Sequence, residues 1–198
     1  MTRVLGNNGV RVVWGCADFG GHEFHGQGLS ADECVAALRA LSDWGCIELD
    51  TARLYGDGKQ EGALGAALRS YGANCFQIAS KAHPKFSLAY DALLAQVETS
   101  LSELGLGCLD LLYLHSVDED VPLEETLRAV NELHQAGKIR EFGLSNFSGW
   151  QTMQVYYKCK EMGCVLPTCY QGNYNPMARQ AGEGFLPFLH IIPCILQP

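Results

Sequence analysis

The sequence has no CxxC pair, no apolar run long enough to span a bilayer and no excess of basic charge. Each gap excludes a class of function. Nine cysteines stand at scattered positions and in odd number, which argues against a disulfide framework and for reduced thiols that mostly fill the core. MTRVLGNNGV at the N-terminus lacks a signal-peptide core, so the chain is expected in the cytoplasm. Without 18 or so consecutive apolar residues, no membrane helix is expected. The most apolar stretch, GFLPFLHIIPCILQP, is short and carries His190 and three prolines. With 14 basic against 22 acidic residues the net charge is -8, which disfavours nucleic acid and anionic membranes as partners. No Pro/Gly/Ser-rich spacer or low-complexity block divides the chain.

What is present fits one globular domain. Of the 198 residues, 47% are hydrophobic and 18% charged, enough for a sizeable core. Short β-type runs alternate with amphipathic stretches, the pattern of βαβ units around a parallel sheet. Strands are expected at 11–14, 47–50, 76–81, 109–115, 141–144 and 166–171. Helices are expected from the capping box at Ser30 and Glu33 to Trp44, from Gln60 to Tyr71, from Leu88 to Leu104, from Pro122 to Gln135, and from the capping box at Ser148 and Gln151 to Gly163. Gly45, Gly72 and Gly137 serve as stops. A further helix is expected over 180–190.

Two architectures suit six such units, an open doubly wound sheet and an interrupted barrel. The polar residues choose between them. Asp50, Lys81, His115, Asn146 and Gln171 end or follow successive strands, 31, 34, 31 and 25 residues apart. Strand C-termini converge on one mouth in a (β/α)₈ barrel, where active sites are built. In an open sheet they would spread along an edge. Tyr55, five residues after Asp50, adds an acid. A phenol with a pKa of about 10 is poor in that role at neutral pH, and an ammonium such as Lys81 beside it improves it. Asp50 can hold Lys81, and His115 can orient a substrate oxygen. The set suits general-acid protonation of an oxygen becoming an alkoxide, with hydride from a cofactor, since no side chain supplies one. Taken singly, each residue also fits an ordinary role: a turn cap for Asp50, a solvated lysine, a core histidine, a packed tyrosine, a turn former at Asn146, strand-end filler at Gln171.

Six stretches together resemble the aldo-keto reductases, most closely the aflatoxin-aldehyde and succinic-semialdehyde reductase branch: WGCADFG, ELDTARLYGDGKQEGALG, IASKAHP, LDLLYLHSVDEDVPLEETL, GKIREFGLSNFSGW and LPTCYQGNYNPMARQ. They run in family order from about Val12 to about His190. The resemblance implies Tyr55 as proton donor with Asp50, Lys81 and His115 as its partners. It implies NADPH as cofactor, with Asp50, Ser145, Asn146 and Gln171 on the cofactor side, the last three at the nicotinamide carboxamide. An aldehyde or ketone substrate and a homodimer are also implied. Trp14, Phe19, Phe24 and His25 are candidate pocket walls.

Two departures stand out. Cys16 and Ala17 replace a Thr-Met pair usual in the branch. After His190 the family continues with two further strands and a phosphate loop, whereas 191–198 (IIPCILQP) matches no family segment. The expectation is therefore a partial barrel over 1–190 of about six β/α units, lacking strands seven and eight, with its first and sixth strands as open edges. A catalytically inactive form with an interaction or regulatory role, like a channel β-subunit, is the second reading.

Overall fold

The computed structural model describes residues 12–19, 28–72, 75–173, 175 and 177, and the backbone of 195–197. The expected helix over 180–190, and Phe24 and His25, lie outside the described residues. The chain divides into two compact units, one formed by residues 1–81 and 98–110 and the other by 82–97 and 111–198.

The first unit begins with β1 (Val13–Gly15), α1 (Ala31–Trp44), β2 (Glu48–Asp50) and α2 (Gln60–Tyr71), followed by β3 (Gln77–Ala82), whose last residue enters the second unit. Strands β1, β2 and β3 pair in parallel, with Gly15 opposite Asp50 and Asp50 opposite Ala79. The capping box is made as expected: Ser30 Oγ accepts from the Glu33 N–H, and the Glu33 carboxylate accepts from the Ser30 N–H. Gly45 closes α1 at φ 76. Cys34, Leu38 and Leu41 form its buried face, and each buried leucine contributes about 1.5–3 kcal/mol. Helix α2 packs backbone to backbone on the end of α3 (Tyr90–Leu104) at Gly65, where a Cβ would stand 2.8 Å from Leu104 Cα and closer still to the Glu103 carbonyl oxygen.

The second unit carries most of β4 (Leu109–Leu114), then α4 (Leu123–Gln135), β5 (Ile139–Ser145), α5 (Gly149–Met162), β6 (Cys169–Gln171) and β7 (Ile195–Gln197). Leu127, Val130 and Leu133 line the buried face of α4 at helical spacing. Gln151 Oε1 caps α5 by accepting from the Ser148 N–H and hydroxyl at 2.9 and 2.7 Å. Tyr113 lies over the backbone of Gly143, where a Cβ would meet its ring at 2.6 Å, and its hydroxyl contacts Cys169 Sγ at 3.0 Å.

The boundaries of the expected elements fall within two residues of expectation except at the start of β6, and the shifts have local causes. Helix α3 starts at Tyr90, not Leu88: Ser87 sits at φ 65, outside the helical region, and the Leu88 carbonyl accepts from Thr126 Oγ1 at 2.9 Å. Strand β6 starts at Cys169, not Leu166; Pro167 has no N–H to extend the ladder. One difference is larger. The sequence shows no strand after the sixth and leaves β6 as an edge, yet Ile195–Gln197 pairs with it in parallel, Cys169 opposite Ile195 and Gln171 opposite Gln197. A three-residue strand beside Pro193 carries too little alternation to be recognised in sequence.

Candidate active site

In the first unit the strand ends assemble three of the expected residues. Asp50 is the last residue of β2, and Lys81 lies next to the end of β3. Lys81 is among the largest fully buried side chains of the protein. An ammonium removed from water loses its proton unless it is paired. Asp50 Oδ1 supplies the pair, the Thr51 carbonyl accepts a second bond at 2.9 Å, and Tyr55 Oη accepts a third at 3.4 Å. The ammonium also stands 5.0 Å from the centre of the Tyr55 ring. Tyr55 is half-buried and opens a one-turn 3₁₀ segment, Tyr55–Gly58.

Cys16, fully buried just past β1, adjoins the Asp50 backbone. Its N–H donates to the Asp50 carbonyl at 2.8 Å. Burial, and secondarily the Asp50 charge, push its thiol far up, so it stays protonated. Gln60, with no exposed surface, accepts from the Thr51 hydroxyl and donates to the Cys16 carbonyl at 2.6 Å. The sequence reading missed Gln60 and its neighbours Arg53 and Glu61. The signal available was their spacing: Glu61 precedes Leu64 and Gly65 by three and four residues and so shares their inward helical face.

The remaining expected residues gather in the second unit. His115 follows β4, and its N–H donates to the Ala82 carbonyl at 2.9 Å. Its ring meets His83 edge-on, centroids 4.9 Å apart. Burial, then the Lys85 charge, hold His83 below the usual histidine pKa. Ser145 ends β5 and is buried, and Gln171 ends β6 and is half-buried. Exposed Asn146 adopts φ 58 between them; its Nδ2 donates to the His115 carbonyl at 2.9 Å and to Ser145 Oγ at 3.1 Å, and its N–H to the Gln171 carbonyl at 3.4 Å. Two groups thus form, Asp50–Lys81–Tyr55 in one unit and His115–Ser145–Asn146–Gln171 in the other. Of the candidate wall residues, Phe19 is buried in the core, whereas Trp14 is 45% exposed and does not belong to it.

The aldo/keto reductase family model matches residues 11–195. The chain belongs to the aldo/keto reductase family. Aflatoxin B1 aldehyde reductase member 2 of Mus musculus is 44% identical over 169 residues, 83% of this chain and 46% of that protein. Aldo-keto reductase family 7 member A3 of Homo sapiens is 44% identical over 168 residues, 83% of this chain and 51% of that one. This aldo/keto reductase chain therefore spans about half the length of the curated relatives it matches. Among solved structures, the thermostable aldo-keto reductase Tm1743, in complex with epalrestat, superposes with a TM-score of 0.83 at 29% identity, covering 99% of this chain and 71% of that one. An aldo/keto reductase from Klebsiella pneumoniae, in complex with NADP and acetate, gives 0.78 at 29% identity, covering 93% and 61%. The barrel-type α/β fold expected from the strand-end pattern is the fold of these structures, spanned in part.

Proposed function

We propose that this chain carries the proton-transfer machinery of an NADPH-dependent reductase that turns an aldehyde or ketone into an alcohol. One observation carries the reading: the buried Lys81 ammonium lies between the Asp50 carboxylate and the Tyr55 hydroxyl. Tyr55 gives its proton to the carbonyl oxygen as that oxygen gains negative charge. Lys81 stabilises the phenolate left behind, and Asp50 holds the Lys81 head in place through their ion pair. His115 orients the substrate oxygen by hydrogen bonding. Reduced nicotinamide, when bound, supplies the hydride. Ser145, Asn146 and Gln171 fit its carboxamide, because a hydroxyl and two primary amides supply both donors and acceptors within one cluster. The family resemblance assigns Asp50 to the cofactor side as well. The described cysteines are free thiols, which suits a reducing, cytosolic setting.

The test is direct. Purified chain should quench or shift NADPH fluorescence and consume NADPH with an aromatic aldehyde. Tyr55→Phe should abolish turnover while retaining NADPH binding, since the phenol is assigned the proton and no role in holding the cofactor. A folded sample that binds no NADPH refutes the reading and favours an interaction or regulatory role instead.

A further inference from the structure

Glu61 is a carboxylate with no exposed surface, on the first turn of α2. Donors from three other segments converge on it. Ser80 Oγ of β3 donates to Oε1 at 2.6 Å, Ser100 Oγ of α3 donates to Oε2 at 2.9 Å, and Arg53 Nη1 donates to Oε2 at 2.8 Å. The second branch of the guanidinium, Nη2, donates to the Gly58 carbonyl at 2.9 Å and stands 3.6 Å from Glu103 Oε1. The Arg53 N–H donates to the Lys81 carbonyl at 3.1 Å.

These bonds close a ring around Tyr55. The chain that leaves β2 is tied to β3 at the Arg53 backbone, passes through Tyr55, and returns at Gly58 to the Arg53 guanidinium. Inside the ring Gly56, Asp57 and Gly58 hold φ of 58, 52 and 84. A left-handed non-glycine residue persists only where its surroundings over-determine it. Apolar packing does not do so here, because none of residues 55–58 is buried. The Tyr55–Lys81 bond, at 3.4 Å, is at the long end of the useful range, so a small shift of the ring breaks it.

We propose that Arg53, locked by Glu61, is a positioning residue that sets the distance between the Tyr55 hydroxyl and the Lys81 ammonium. Its functional consequence rests on the reading of Tyr55 as proton donor; its geometry does not. The test uses the full chain and the variant Arg53→Lys. A lysine there can keep a positive charge on Glu61 but cannot also reach the Gly58 carbonyl. The nuclear Overhauser contact between the Tyr55 ring and the Lys81 side chain should be strong in the parent and lost in the variant. The contact between the Tyr71 and Phe76 rings, 5.9 Å apart in the same unit, reports that the unit is still folded and should persist. Retention of the Tyr55–Lys81 contact in a folded Arg53→Lys chain overturns the proposal. If that variant does not fold, the parent decides: separately resolved, slowly exchanging Arg53 Nη protons support the ring, and one averaged, fast-exchanging signal refutes it. With NADPH and an aldehyde, kcat should fall on the order of 10²-fold at unchanged KM, as for a misplaced reacting group. A parent that turns over no NADPH sinks the reductase reading and leaves the two resonance measurements standing.

Discussion

Removing Lys81 isolates what holds the proposed acid site together. Lys81→Met keeps the stem but deletes the ammonium, leaving Asp50 buried at 6% exposure without its partner. Breaking a buried ion pair from one side costs about 3–5 kcal/mol, because a charge is left uncompensated. For a chain of this size each kcal/mol moves the melting temperature by roughly 2–4 °C, so a fall of roughly 6–20 °C is expected. Asp50→Asn should be similarly damaging, since the Lys81 head then lacks its counter-charge. The double variant places a neutral pair in the same space and should recover much of the loss, giving a coupling energy of about 2 kcal/mol or more. Circular dichroism melts and urea titrations of the parent, both single variants and the double variant measure the cycle. Losses that add to within about 0.5 kcal/mol would show that the two groups do not act as a pair, and the account of the buried ammonium would then be wrong.

The other predictions concern packing, thiols and pH. Gly62→Ala and Gly65→Ala, in the same helix, should change stability in opposite directions. A Cβ at 62 meets only the flexible end of Glu103, 3.2 Å away, so the roughly 0.5–1 kcal/mol of helix propensity is gained. A Cβ at 65 runs into the backbone of α3 and should lower stability by about 1–3 kcal/mol; thermal melts read both. A thiol reagent near neutral pH should label exposed Cys75 first. Cys159, pushed up to about 12 chiefly by burial, holds almost no thiolate there and should react only on unfolding, which mass spectrometry of labelled peptides checks. His83 favours its neutral form when folded, so its contribution is present above pH 6.5 or so and is lost as pH falls through its lower folded value. The melting temperature should therefore drop between about pH 7 and 5, and His83→Asn, which can still accept the Lys85 N–H, should flatten the drop.

Much of this was legible in one dimension because the determining physics is local. The caps at Ser30 and Ser148 and the stops at Gly45 and Gly72 depend on neighbours within a few residues, and they stand where the pattern puts them. The regular recurrence of Asp50, Lys81, His115, Asn146 and Gln171 at strand ends identified the candidate site, since a parallel strand's end is fixed once its helix is. The tertiary structure decided what no periodicity encodes. It put the Lys81 ammonium fully out of water, which only its packed neighbours can do. It joined Arg53 and Glu61, which no pattern in the sequence singles out, into a partly buried pair, with Ser80 and Ser100 reaching Glu61 from positions 19 and 39 residues away. It brought His83 against His115, 32 residues on in the chain. It also gave β6 a partner in Ile195–Gln197, whose three residues acquire meaning only from the strand beside them. Sequence determines which side chains stand at a strand's end; the distances that decide whether they can exchange a proton come from folding.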